Sequence, residues 1–99
     1  MLFANRIKEL RNLCQMPQRK LAAALDIDTA TYCKIERGER RAKKEQISIL
    51  ADVFHTDEQE LLTLWLADKV SDIVSDNDVI ALNALSLATQ NIKLKNPNG

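Results

Sequence analysis

Apolar residues recur at helical spacing from one end of the chain to the other. Phe3, Ile7, Leu10 and Cys14 follow at intervals of four, three and four, which predicts a first helix over about 3–15. Pro17 closes that helix or opens the next, because proline suits a first helical turn and not an interior. Leu21, Ala22 and Leu25 line a short second helix from Gln18, and Asp26-Ile27-Asp28 then interrupts the pattern. Asp28 is a good N-cap. The third helix therefore runs over about 29–37, with Tyr32 and Ile35 inward and Gly38 as its C-cap. After a basic loop at 39–44, Ile47, Leu50, Ala51 and Phe54 make a fourth helix. His55-Thr56-Asp57 is a joint whose Thr56 or Asp57 caps the next element; His55 itself reads as a helix-end residue and not a catalytic one.

From Glu58 the stripe widens. Leu62, Leu66, Val70 and Ile73 fall on one face with Leu61 and Trp65 beside them, which predicts a long fifth helix to about 74. Ser75-Asp76-Asn77-Asp78 is a cluster of capping residues, so a last helix is expected over about 76–95. In it Ile80, Ala84, Leu87, Asn91 and Leu94 keep a strict four-three rhythm, and Leu82, Leu85 and Ile92 form a second stripe. That is more apolar surface than one small domain covers. Residues 96–99 read as a frayed end. The expected organisation is all-α: a five-helix domain over 1–74 and a C-terminal helix over 75–99.

Composition agrees with this class. The 99 residues include two glycines, two prolines and four aromatics, so turn signals are few. At 45% hydrophobic and 28% charged the chain has the balance of a globular protein. No window approaches the run of about 18 apolar residues that a membrane span needs. The first ten residues carry charges where a signal peptide needs its apolar region. Cys14 and Cys33 have no CxxC partner and no neighbouring histidine, so neither a disulfide framework nor a metal site is expected. The cytoplasm is the expected compartment. No paired carboxylates in an apolar setting, no Ser/His or Cys/His pairing and no glycine-rich phosphate loop suggest an enzyme, and no cofactor or small-molecule ligand is expected.

The net charge of zero conceals a split. Residues 1–44 hold eleven basic and five acidic side chains, a net +6; residues 45–99 hold three basic and nine acidic, a net −6. Such asymmetry points to one face that meets a polyanion and another with a different task. Arg37, Arg40, Arg41, Lys43 and Lys44 place five cations within eight residues, just after the third helix. With Arg19, they are the candidate contacts to the charged groups of such a polyanion, which would be phosphates if it is a nucleic acid.

The stretch from Gln18 to Gly38 has a grammar of its own: two short helices joined by a tight turn must cross steeply. Ala22, Ala23 and Ala24 permit a close approach, and Leu21, Leu25, Ile27, Tyr32 and Ile35 pin the crossing from beneath. The outer face of the third helix is left free, and a convex helix flanked by cations fits the major groove of B-DNA. Over residues 6–66 the chain resembles the helix-turn-helix domain of the Cro and phage-repressor type, the Xre family. The resemblance rests on Gln18, Leu21-Ala22, the spacing to Ile35-Glu36-Arg37-Gly38, and the later Leu50-Ala51 with Leu61-Leu62. Asp26 stands where the family usually has a left-handed glycine, Ala42 where it has a proline after the recognition loop, and Tyr32 where it has an aliphatic core residue.

The resemblance implies double-stranded DNA as partner and assigns roles by position. Thr29, Ala30, Cys33 and Lys34 are the base-facing residues. Thr29 can bond a base edge, Ala30 can pack on a thymine methyl, and Lys34 can reach guanine O6 and N7. Gln18 contacts a backbone phosphate or supports a base reader. Arg11 and Glu36 form an internal ion pair. A repressor-type domain is also expected to work as a homodimer on two half-sites of a palindrome. Trp65, Ile80, Ala84, Leu87 and Leu94 are the expected interface. The alternative, from a different class, is a protein-interaction module such as an antitoxin or anti-repressor that binds a protein partner through its acidic half.

Overall fold

The structure, a computed structural model, describes residues 1–96. Those residues form six α-helices and no strand: α1 (Leu2–Leu13), α2 (Gln18–Ala24), α3 (Thr29–Glu36), α4 (Lys44–Phe54), α5 (Glu58–Val74) and α6 (Ala81–Lys95). The all-α class and the additional C-terminal helix are as the pattern predicts. Apart from Asn96, the frayed end expected over 96–99 lies outside the described residues. The chain divides into two compact units, Met1–Asp68 and the segment from Lys69 onward, and the division falls inside α5.

The first unit is built on amphipathic helices whose apolar stripes converge. α1 buries Phe3, Ala4, Ile7 and Leu10; α4 buries Ile47, Leu50, Ala51 and Phe54; α5 adds Leu61. Leu21, Ala22 and Leu25 of α2 and its cap, with Tyr32 and Ile35 of α3, close the same core. At roughly 25 cal/mol for each Å² of apolar surface removed from water, this single cluster is the main stabilising term of the unit. Only Ala22 of the alanine run is buried; Ala23 and Ala24 face solvent, so the close crossing of α2 and α3 rests on one small residue.

Two boundaries differ from the periodicity. α1 ends at Leu13, and Cys14 is exposed beyond the stripe, because Gln15 turns left-handed (φ 55°) and stops the helix. α6 begins at Ala81, not at 76. Ser75 Oγ donates to the Asp72 carbonyl at 2.9 Å, which closes α5, and an Ile80 N–H bond to the Asn77 carbonyl holds a turn before α6.

Four helices stop in the same way. After α1, α2, α3 and α4 the chain takes one left-handed residue: Gln15, Asp26, Gly38 and His55, respectively, with φ of 55°, 56°, 76° and 55°. At each, paired N–H bonds return to the last turn, as in Gly38 N–H to Ile35 and Glu39 N–H to Lys34, the geometry of a Schellman cap. Asp26 thus holds the left-handed turn between α2 and α3 that the family fills with glycine, and His55 acts through its backbone.

Candidate nucleic-acid interface

α3 starts at an effective cap. The Asp28 carboxylate accepts from Thr31 N–H at 2.6 Å, and those bonds to Thr31 hold its ionisation below the usual range. One side of α3 is committed to the core: Tyr32, Ile35 and Glu36 are buried. On the opposite side Thr29, Ala30 and Lys34 are exposed and Cys33 is half-buried. The four expected base-facing residues therefore share one outward face, with Cys33 deepest in it.

Beneath that face runs a hydrogen-bonded chain. Glu36, only 5% exposed, accepts from Arg11 Nε at 2.6 Å and from Arg11 Nη2 at 3.1 Å, a forked pair between α1 and α3. The third nitrogen of Arg11 donates to the Met16 carbonyl at 2.9 Å, which ties the pair to the turn before α2. Gln18 Nε2 donates to the same carboxylate at 3.3 Å, and Cys33 Sγ donates to Gln18 Oε1 at 3.1 Å. Burial by itself raises the Glu36 carboxyl, but the bonds from Arg11, with Tyr32 and Gln18 beside it, outweigh burial and hold it below the usual range. The same bond to Glu36 raises the Arg11 guanidinium further. The Tyr32 hydroxyl is buried without a partner of ordinary geometry. Its burial, next to the Glu36 carboxylate, pushes phenol ionisation far above its normal range.

The cations that flank α3 in the chain all lie at the surface. Arg37 is held by Glu39, with Nε and Nη2 at 3.0 and 2.8 Å from one carboxylate oxygen, and that bond raises its guanidinium. Arg19, Arg40, Arg41, Lys43 and Lys44 are exposed. α4 starts at Lys44, so Lys43 is its N-cap residue; the Lys43 N–H bonds Gln46 Oε1 at 2.8 Å. The loop between α3 and α4 is anchored at Ala42. Its side chain is buried, and its carbonyl accepts from Trp65 Nε1 at 2.8 Å. That anchor fixes the loop where the family has a proline. Trp65, expected at a dimer interface, packs against the core of its own unit. Ala84, Leu87 and Leu94 are exposed on α6, and Ile80 is exposed at its N-cap.

The helix-turn-helix family model matches residues 7–61. The chain belongs to this family. Helix-turn-helix proteins of the Cro and repressor type are DNA-binding regulators, and α2 and α3 are the crossed pair that defines them. No curated protein and no solved structure matches the chain. In this helix-turn-helix protein no group of acidic, histidine and cysteine side chains is placed to hold a metal among the described residues. No described helix is long and apolar enough to cross a membrane.

Several contacts within the first unit escape a reading by motif. The Asp68 carboxylate accepts from the N–H groups of Leu2 and Phe3, each at 3.0 Å, so α5 caps α1. Arg6 bonds Glu60 at 2.9 Å and also pairs with Glu9. A signal for the first exists: Leu61, Trp65 and Asp68 fall at intervals of four and three, which puts the carboxylate on the inward face of α5. The Cys33–Gln18 bond has no comparable sign in the spacing.

Proposed function

We propose that this helix-turn-helix protein is a sequence-specific transcriptional regulator that binds a palindromic operator as a homodimer. What carries the reading is the exposed face of α3 with its cations on either side in the chain, Arg19 before it and Arg40, Arg41, Lys43 and Lys44 after it. Seated in the major groove, Lys34 bonds guanine, Thr29 bonds a base edge and Ala30 meets a thymine methyl. The exposed cations set register on the phosphates. Arg37 reaches a phosphate only by leaving Glu39, so its contribution is smaller than that of Arg40. Gln18 reads no base directly: both ends of its amide are engaged, and its remaining N–H is the one offered to a phosphate. Cys33 meets DNA through its sulfur edge and holds Gln18 in place. The homodimer forms through the exposed apolar residues Ala84, Leu87 and Leu94 of α6 and Ile80 at its N-cap.

Selection of bound sequences from a random DNA pool at near-physiological salt tests the reading. An inverted repeat is the expected result, and its half-site spacing reports the dimer geometry. Recovery of salt-sensitive binding with no consensus overturns it in favour of a protein partner for the acidic half.

A further inference from the structure

Arg37 differs from the cations that follow it in where it stands and in what holds it. Its backbone is still right-handed helical (φ −85°, ψ −3°), so its side chain continues the outward face of α3. Ala30, Cys33, Lys34 and Arg37 follow at intervals of three, one and three, which is one stripe of a helix. A helix in the major groove meets base edges along such a stripe. Arg37 lies about 4.5 Å further along the axis than Lys34, a little more than one base-pair step of about 3.4 Å. Gly38 then turns left-handed and brings Glu39 back to the end of α3, where the Glu39 N–H bonds the Lys34 carbonyl at 2.9 Å. The backbone that carries the Glu39 carboxylate is thereby fixed to the helix that carries the base-facing residues.

The two donors that Arg37 gives to Glu39, Nε at 3.0 Å and Nη2 at 2.8 Å, share one edge of the guanidinium and end on one oxygen. The other edge, Nη1 with the second N–H of Nη2, is outside that pair. It presents two parallel donors, the pattern that matches guanine O6 and N7. A surface pair of this kind adds little to stability, and the two side chains are 59% and 56% exposed. Its effect lies elsewhere: it fixes the plane of a long side chain and cancels the charge that draws a free arginine to any phosphate. We propose that Arg37 reads a guanine within about two base pairs of the one met by Lys34, with Glu39 as the positioning residue that presents it. This rests on the reading of the protein as a sequence-specific DNA binder, and it moves Arg37 from the phosphate anchors to the base readers.

The test measures Kd of the full chain for the selected DNA site and for each single-base change in it, over a range of salt concentrations. Arg37→Ala with Glu39→Ala removes the pair without altering net charge. This double variant loses the preference for guanine at one position of the half-site by about ten- to a hundredfold, and its salt slope stays as in the wild type. Glu39→Ala alone weakens the same preference at the same position, while its salt slope steepens by about one as the released guanidinium turns to a phosphate. Thermal midpoints of both variants stay near the wild-type value, because the two side chains are exposed. A double variant that weakens all sequences alike and loses about one unit of slope makes Arg37 a phosphate anchor and overturns the proposal. So does a Glu39→Ala variant that tightens every sequence with base preference unchanged, since the carboxylate then only opposes phosphates. Either result leaves sequence-specific binding standing. A wild-type chain with no base preference at any position overturns that reading itself, and Arg37 as a reader with it.

Discussion

Among the described residues Glu36 is the only buried charged side chain, and its partners decide what it contributes. A carboxylate out of water is costly unless donors surround it, and here Arg11 supplies two and Gln18 a third. Replacing Arg11 by alanine leaves that charge unpaired and should lower stability by about 3 kcal/mol in denaturant unfolding. Arg11→Met combined with Glu36→Leu should recover most of the loss, because an apolar pair needs no compensation. The sign with pH follows from the depressed Glu36 ionisation. Its stabilisation is fully present above the ordinary glutamate value of 4.5 and is lost as pH falls below it through the lower folded value. Thermal midpoints should therefore hold from neutrality to about pH 5.5 and drop below about pH 4.5. Glu36→Gln should flatten that drop, and an unchanged acid limb in this variant would place the titration elsewhere. At the surface the test is one of kind. Lys34→Ala should relax preference at one base pair by roughly 1–3 kcal/mol. Arg40→Ala with Arg41→Ala should weaken all sequences alike and flatten the salt slope by about one unit for each phosphate left without its cation. Identical behaviour of the two variants contradicts the division between readers and anchors.

At the scale of the element, the chain ends four helices with a left-handed residue and provides one glycine for them. A side chain in that conformation costs roughly 1–2 kcal/mol, so Gln15, Asp26 and His55 each hold a strain that glycine relieves. Gln15→Gly and His55→Gly should each stabilise the protein by about 0.5 kcal/mol, less than the full relief because glycine also frees the unfolded chain. Gly38→Ala should cost more than either gains: a Cβ there stands 2.7 Å from the Met1 side chain as well as in a left-handed backbone. This pattern explains where the sequence is legible. The stripes of α1 and α4 are periodic and face the core, and the Asp28 cap and the Gly38 stop are carried by residue types with a strong preference. In α5, by contrast, the core side is Leu61 and Trp65, and Leu66 and Ile73 of the expected stripe are exposed. At Gln15 the residue type says nothing of a turn, so the first helix reads two residues too long. At 75–78 the preference for capping is real, but Ser75 satisfies it backwards, on α5, and the start of α6 shifts to Ala81. The outward face of α3 follows from periodicity together with the family resemblance. The Cys33–Gln18–Glu36 chain depends on how two helices approach one another, which no local spacing encodes.

At the scale of the whole molecule, the two compact units differ in what they bury. Folding is complete in the first unit, where the core residues are gathered, while α6 leaves its longest apolar side chains in water. A helix that gains little by folding has its apolar surface available for assembly. On the proposed homodimer reading, operator binding depends on α6 without α6 touching DNA, and the salt dependence tests it. Each half-site contributes its own phosphate contacts, and the slope of log K against log salt is about −0.9 for each phosphate neutralised. A dimer on a full operator has twice the slope of a monomer on one half-site. Leu87→Ser with Leu94→Ser alters two side chains that are 66% and 81% exposed, so the thermal midpoint should move little. The same variant should lose cooperative binding to the full operator, and its salt slope there should fall to about half the wild-type value. Binding to an isolated half-site should be unaltered, since Thr29, Ala30 and Lys34 are untouched. A loss of half-site affinity in step with the full operator would mean that α6 supports the first unit and does not join two of them.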